Sequence, residues 1–403
     1  MVPIDSQSPY FLAGLRNSGE LRQCIDAAGR SAIAEVDLDA LPTAMRQLDV
    51  AALLAIATTL FELGGLPPGA VRTAVEVAEA MGIAARHRWI VRCWLEILAA
   101  EQLVVRDQNG RYQDLRVVTQ QERAATDAAL DTARAALGYP AELTHFFRAA
   151  NENLPGLLRD EVLPQALLFP RGEITTALGA YQDNLVSRYL NAAVAEVVHQ
   201  AAGKRVGALR VLELGAGVGG TTATVLASLA DRQVDYLFTD VSRFFLGVGR
   251  ERFGAHPGLR YALVNIDGEL PGQGVPEGKT DVVIASNVIH NAHHVGRVLA
   301  NLRRLLTPDG LLVIVEFCRE YYQIMIAVRF LASPGPGQPV PGRSDFRAGG
   351  DRLLLTRQEW LAQLHTAGLR LLLDLPHPDD GPLAALAQHL FVVAPATFDR
   401  SSL

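Results

Sequence analysis

The chain has 403 residues, long enough for two domains, and its 49% hydrophobic and 20% charged content describes an ordinary folded protein rather than a disordered one. A net charge of −6 argues against a nucleic-acid partner held by a phosphate-neutralising surface. No apolar run approaches the roughly 18 residues of a membrane span and no basic stretch leads into an apolar one at the N-terminus, so the expectation is a cytoplasmic protein without a membrane partner.

Cys24, Cys93 and Cys318 are scattered and lack C-x-x-C spacing, which suits a reducing compartment and offers no metal or disulfide framework. The first 45 or so residues show no strong periodicity. Val50 to Leu63 is apolar nearly all round and reads as a buried helix ending at Gly64 and Gly65. Two more helical patterns follow, over residues 70–83 and 86–103, and then a hairpin around Asn109 and Gly110. Helix, helix and hairpin make a winged-helix-like lobe. Its proposed recognition segment is built from Trp89, Ile90, Val91, Trp94 and Leu95, which are core or interface residues and give a DNA-binding reading little support.

The most informative stretch is RVLELGAGVGGTT, residues 210–222. An apolar strand runs into Gly215, Gly217 and Gly219, where backbone can turn sharply and approach a ligand closely, and a helix N-terminus with free amide donors follows. Gly215, Gly217 and Gly220 also fit the spacing of dinucleotide-binding folds, so the glycines alone do not choose between a dehydrogenase and a methyltransferase. VDYLFTDVS then delivers Asp240 to a strand end, where a carboxylate accepts from ribose hydroxyls. LRYALVNIDGELPGQGV places Asn265, Ile266 and Asp267 after a third strand, near an adenine. TDVVIASNVIH is a fourth strand, and LLVIVEF a fifth, following a turn at Pro308, Asp309 and Gly310. LRLLLDLP and QHLFVVAP close the sheet.

This series resembles the class I S-adenosylmethionine-dependent methyltransferases, and the resemblance implies an α/β, Rossmann-like fold with a mostly parallel seven-stranded sheet. Glu213 and the glycines resemble their first motif, and Asp240 their ribose-binding acid. LLFPRG, Tyr181 and SRYLN before the sheet, with FTDVSRFFL, NIDGELPGQGV and NVIHNA within it, are similar to the carbon-methylating domains of polyketide and nonribosomal peptide synthases. Asn265 departs from that pattern, which more often has aspartate there, and this weakens the adenine contact.

What the resemblance implies is a stand-alone enzyme of bacterial secondary metabolism that binds S-adenosylmethionine through Glu213, Gly215, Gly217, Gly219, Asp240, Asn265, Ile266, Asp267, Asn287 and Tyr181. Its expected domains are an N-terminal lobe over 1–145 that dimerises or roofs the substrate, linker and lid helices over 146–204, and a catalytic domain over 205–403 with a lid insertion at about 320–356. The substrate is expected to be a small molecule, free or tethered to a carrier.

Methyl transfer is a direct displacement, so a neutral amine needs only alignment, whereas a carbon acid or phenol needs a general base. In the sheet that the resemblance implies, the strands ending in His290 and Glu316 are neighbours, about 4.8 Å apart, so the two can form a hydrogen-bonded dyad at the crevice edge. The resemblance gives both the catalytic role. His293 and His294 add imidazoles but no carboxylate at ligand spacing, so no metal is expected. Cys318 and Trp360 read as core or pocket wall. Oxygen or nitrogen methylation, and a cofactor-binding winged-helix regulator without turnover, are the alternatives.

Overall fold

Period-two apolar runs produce the sheet that carries the site. The computed structural model describes residues 18–203, 207–335, 341–342, 344–350 and 352–396. Two compact units divide the chain: residues 1–35, 186–319 and 354–403 form one, and residues 36–185 with 320–353 form the other.

The first unit contains a seven-stranded sheet. Its strands are β1 Leu209–Leu214, β2 Val234–Asp240, β3 Leu259–Leu263, β4 Thr280–Ser286, β5 Leu306–Phe317, β6 Leu369–Leu375 and β7 Gln388–Pro395. They lie in the order β3-β2-β1-β4-β5-β7-β6, with β1 to β5 parallel and β7 antiparallel to both β5 and β6. This is the class I methyltransferase arrangement of a mixed, mostly parallel sheet. The order reverses between β1 and β4, and that switch point opens a crevice beyond the carboxyl ends of both strands.

Alternate residues Leu212 and Leu214, Val283 and Ala285, Leu312 and Ile314, Phe391 and Val393 share one face. Against it pack Val298, Leu299, Leu302 and Leu305 of helix Val295–Leu305, and Trp360 and Leu364 of helix Arg357–Thr366. Val282, Ile284, Val313 and Val392, between them, are equally buried, as expected of a largely parallel sheet covered on both sides.

Two local expectations are corrected. Pro308, Asp309 and Gly310 do not form a separate turn, because β5 runs unbroken from Leu306. Its pairing jumps from Thr280↔Leu306 to Val282↔Leu311, so the extra residues are absorbed as a bulge. The N-terminal stretch, where no strong periodicity was expected, forms helix Ser18–Ser31, with Leu21, Ile25 and Ala28 on one side. It is fixed by contact: a Cβ at Gly29 would lie 2.6 Å from the Tyr189 ring, and Tyr189 donates to Asp26 at 2.6 Å.

The second unit is mainly helical. Helix Leu41–Glu62 begins earlier than the apolar run suggested and ends just before Gly64. The window Leu38–Glu62 is long and apolar enough to cross a membrane by length and composition, yet 61% of it is buried inside the protein. Helices Ala74–Ala80 and Arg88–Ala100 follow, and then antiparallel strands Val105–Arg106 and Tyr112–Gln113, the expected helix, helix, hairpin succession. Ile90, Val91, Trp94 and Leu95 are buried, as core residues would be. Helices before and after residues 333–350 are present at Tyr322–Leu331 and Arg357–Thr366. Of the expected lid insertion at about 320–356, residues 336–340, 343 and 351 lie outside the described residues. Within it, Arg347 is buried, pairs with Asp345 at 2.8 Å and donates to the Leu353 carbonyl.

Candidate functional site

Everything chemically distinctive in the sheet unit collects at the carboxyl ends of β1, β2, β4 and β5. Gly215, Gly217 and Gly219 follow β1 with φ of +57°, +56° and +79°. These are left-handed conformations that residues with a Cβ avoid. A Cβ at Gly215 would stand 2.4 Å from Val288 Cγ2, and one at Gly219 would stand 2.4 Å from the Phe253 ring. The turn is therefore pressed against its surroundings, and helix Gly220–Ser228 starts directly after it.

Asp240, the last residue of β2, braces this turn. Its carboxylate accepts from the Gly217 N–H at 3.0 Å and from the Ser242 N–H at 2.8 Å. Burial pushes its pKa up, opposed by these backbone donors. A carboxylate has about four acceptor positions, so capacity for ligand hydroxyls remains. Val241, next to it, is 71% exposed.

Glu213 sits behind the turn, 2% exposed. Thr222 and Tyr236 both donate to its Oε2 at 2.5 Å, linking β1 to the helix and to β2. Burial pushes its carboxyl up to about 7, with the two hydroxyls pulling the other way.

After β3, Asn265, Ile266 and Asp267 form a tight turn in which Asn265 Oδ1 accepts the Asp267 N–H at 3.0 Å. Gln273 clamps the turn from both sides of its amide, accepting from Asn265 N and donating to Asn265 O. Ile266 packs against the apolar core. Asp267 accepts the His293 N–H at 2.9 Å, which ties this turn to the segment carrying His290.

His290 lies past the end of β4, on the single turn Ile289–Asn291 rather than on the strand itself. Glu316 lies in β5. Glu316 Oε2 is 2.7 Å from His290 Nδ1, and Oε1 accepts the N–H groups of Val288 and His290, each at 3.1 Å. Both residues are buried, at 5% and 0% exposure. Asn287, between β4 and this turn, has φ of +56°, donates its N–H to the Val315 carbonyl at 2.7 Å, and carries a buried Oδ1 without a hydrogen-bond partner. A non-glycine residue held left-handed with an unsatisfied oxygen marks stored strain, which gathers where ligands bind.

The sheet unit thus brings together eleven of the twelve predicted residues, from Glu213 to Glu316. Tyr181 belongs to the other unit, at the end of helix Thr175–Tyr181, with 38% exposure. Cys318 and Trp360 are buried, and the Trp360 ring donates to the Phe317 carbonyl. His294 caps helix Val295–Leu305 by accepting from the Arg297 N–H. Sequence reasoning missed Thr222 and Tyr236, which hold Glu213, and Gln388, which accepts from Asn287. Nothing in a lone threonine or glutamine singles it out, because their roles come from strand register.

Comparison with known proteins agrees with this geometry. A family described as "Methyltransferase domain" matches residues 212–312. Pyochelin synthetase PchF of Pseudomonas aeruginosa is 31% identical over 339 residues, which cover 82% of this chain and 18% of that protein. The reducing polyketide synthase grgA of a Penicillium species is 34% identical over 188 residues, covering 46% of this chain and 7% of that protein. The chain therefore spans less than a fifth of the length of either relative. The crystal structure of the CurJ carbon methyltransferase superposes with a TM-score of 0.83 at 25% identity, covering 94% of this chain and 99% of that one. Fold, glycine turn and relatives converge: this chain has the class I methyltransferase fold, contains a methyltransferase domain over residues 212–312, and resembles the carbon methyltransferase CurJ over nearly its whole length.

Proposed function

We propose that the chain methylates a carbon atom adjacent to a carbonyl group, in the assembly of a secondary metabolite. The observation that carries this reading is the buried pair His290 and Glu316, since alignment alone would serve a neutral amine and a buried, pre-oriented base serves an acceptor that must first lose a proton. The synthase context of the relatives supports a substrate of that kind, presented free or on a carrier.

The cleft residues fit S-adenosylmethionine. The glycine turn is a cradle that side chains would fill, Asp240 retains acceptor capacity beside it, and Asn287 Oδ1 is a buried acceptor awaiting a donor. The backbone of Gly215, Gly217 and Gly219, the carboxylate of Asp240, the turn Asn265 to Asp267 and Asn287 would hold the cofactor, with Glu213 fixing the turn from behind and Tyr181 as a further contact. When bound, the cofactor supplies an electrophilic methyl group on a sulfonium.

The chain's own task is the proton. Glu316 Oε1 accepts from the N–H groups of Val288 and His290, and its Oε2 faces His290 Nδ1; with the hydrogen of that contact on Nδ1, Nε2 is the nitrogen that takes a proton. Glu316 fixes that tautomer and stabilises the imidazolium formed. Incubation with carbon-13 methyl-labelled cofactor and the acetoacetyl thioester of N-acetylcysteamine should yield a product labelled on carbon by NMR. Label appearing only on oxygen or nitrogen acceptors would overturn the proposal.

A further inference from the structure

Gln388 opens β7, and because β7 runs antiparallel to β5, its first residue sits at the edge where the parallel strands end. Register sets Gln388 opposite Phe317, the residue after Glu316. The residue is 8% exposed, and the part that solvent reaches includes its amide nitrogen. Oε1 accepts from Asn287 Nδ2 at 3.4 Å, and Nε2 has no hydrogen-bond partner among the described residues. Asn287 in turn stands three positions before His290 and has its own unsatisfied Oδ1.

Two amides thus meet beside the dyad, each with one end engaged and the other open. A buried amide with a purely structural role completes its bonding inside the protein. Gln323, 0% exposed, does so in the other unit: it accepts from Asn151 at 3.3 Å and donates back at 3.1 Å. Asn287 Oδ1 is an unmet buried group, at a cost of roughly 1–3 kcal/mol, and Gln388 Nε2 beside it is a donor open at this edge, where a ligand acceptor can meet it.

We infer that Gln388 Nε2 donates a hydrogen bond to the substrate's carbonyl oxygen and to the enolate oxygen it becomes. This rests on the carbon-acid reading above. The carbon–hydrogen bond next to the carbonyl breaks, the proton passes to His290 Nε2, and the electron pair spreads onto the oxygen. A donor already aimed there by Asn287 strengthens as that charge grows and needs no reordering during the step.

Proton exchange tests this without the cofactor. The acetoacetyl thioester of N-acetylcysteamine in D2O, with the full chain, should exchange its α-hydrogens faster than in buffer, measured by NMR. His290→Ala should abolish the excess. Gln388→Leu should reduce it roughly 10²–10³-fold, the usual loss on removing one oxyanion donor, while calorimetry shows unchanged S-adenosylhomocysteine affinity. Gln388→Glu keeps the shape and removes the donor, and should show the same loss if the leucine variant does not fold. Wild-type exchange in either variant would overturn the role of Gln388 and leave the carbon-acid reading standing. Weakened S-adenosylhomocysteine binding with normal exchange would also overturn it, moving Gln388 to the cofactor through Asn287. Wild type exchanging no faster than buffer would remove both proposals together.

Discussion

Glu316 grips the His290 segment at three points: the imidazole Nδ1 at 2.7 Å and the backbone N–H groups of Val288 and His290 at 3.1 Å each. One carboxylate on β5 therefore sets both the path of the turn after β4 and the orientation of the ring that the turn carries. The imidazole does not depend on its own rotamer preference for its aim. This separates the consequences of removing the imidazole from those of removing the charge.

With the imidazole gone, His290→Ala should lose roughly 10²–10⁴-fold in kcat, the range of general-base catalysis. S-adenosylhomocysteine affinity should stay close to wild type. Glu316→Gln keeps an oxygen for the backbone donors and loses the charge, so a smaller loss is expected. Steady-state kinetics with calorimetry checks both. Near-wild-type turnover by His290→Ala would exclude the dyad as the base and favour methylation of a heteroatom by alignment.

Asp240 holds the glycine turn through Gly217 and is the acid proposed to meet the cofactor's ribose. Asp240→Ala should weaken S-adenosylhomocysteine binding by roughly 10–100-fold, since hydrogen bonds to charged groups contribute about 1.5–3 kcal/mol. Calorimetry that finds unaltered affinity would remove Asp240 from the site.

Much of this was legible in the residues because strand endings and glycine turns are local signals. The seven strands, the turn at 215–219 and the pairing of His290 with Glu316 follow from apolar periodicity and from which strands neighbour one another. What escaped was fixed by contacts distant in sequence. Helix Ser18–Ser31 has only a short apolar stripe, Leu21, Ile25 and Ala28, and it packs against Tyr189. Gln388 looks like the first polar residue of a closing strand until the register brings it to Asn287. The Pro-Asp-Gly run at 308–310 reads as a turn by composition, whereas sheet pairing on both sides stretches it into a bulge.

Gly215 and Gly217 have nearly the same φ, +57° and +56°, and differ in surroundings. A Cβ at Gly217 would meet nothing nearer than 3.9 Å, while at Gly215 it would run into Val288 at 2.4 Å. Gly217→Ala should cost roughly 1–2 kcal/mol, the left-handed backbone alone. Gly215→Ala should cost that plus the roughly 1–3 kcal/mol of an overpacked core. Urea midpoints of the two variants measure the difference, and equal shifts would show that Val288 yields without cost.

Glu213 makes stability depend on pH. Its carboxyl is raised from an ordinary 4.5 to about 7, first by burial, against which Thr222 and Tyr236 pull. The folded chain therefore holds this proton more tightly than the unfolded chain does. The resulting stabilisation is complete below 4.5, declines as the pH climbs, and is lost above about 7, where folding must bury the charge. At about 1.4 kcal/mol per pH unit, the swing is at most about 3.5 kcal/mol. Glu213→Gln keeps an oxygen to accept from both hydroxyls and cannot ionise. Its melting temperature should match that of wild type near pH 5 and exceed it near pH 8, with the gap opening between those values. Parallel melting curves for the two proteins across that range would mean that Glu213 titrates no differently when folded.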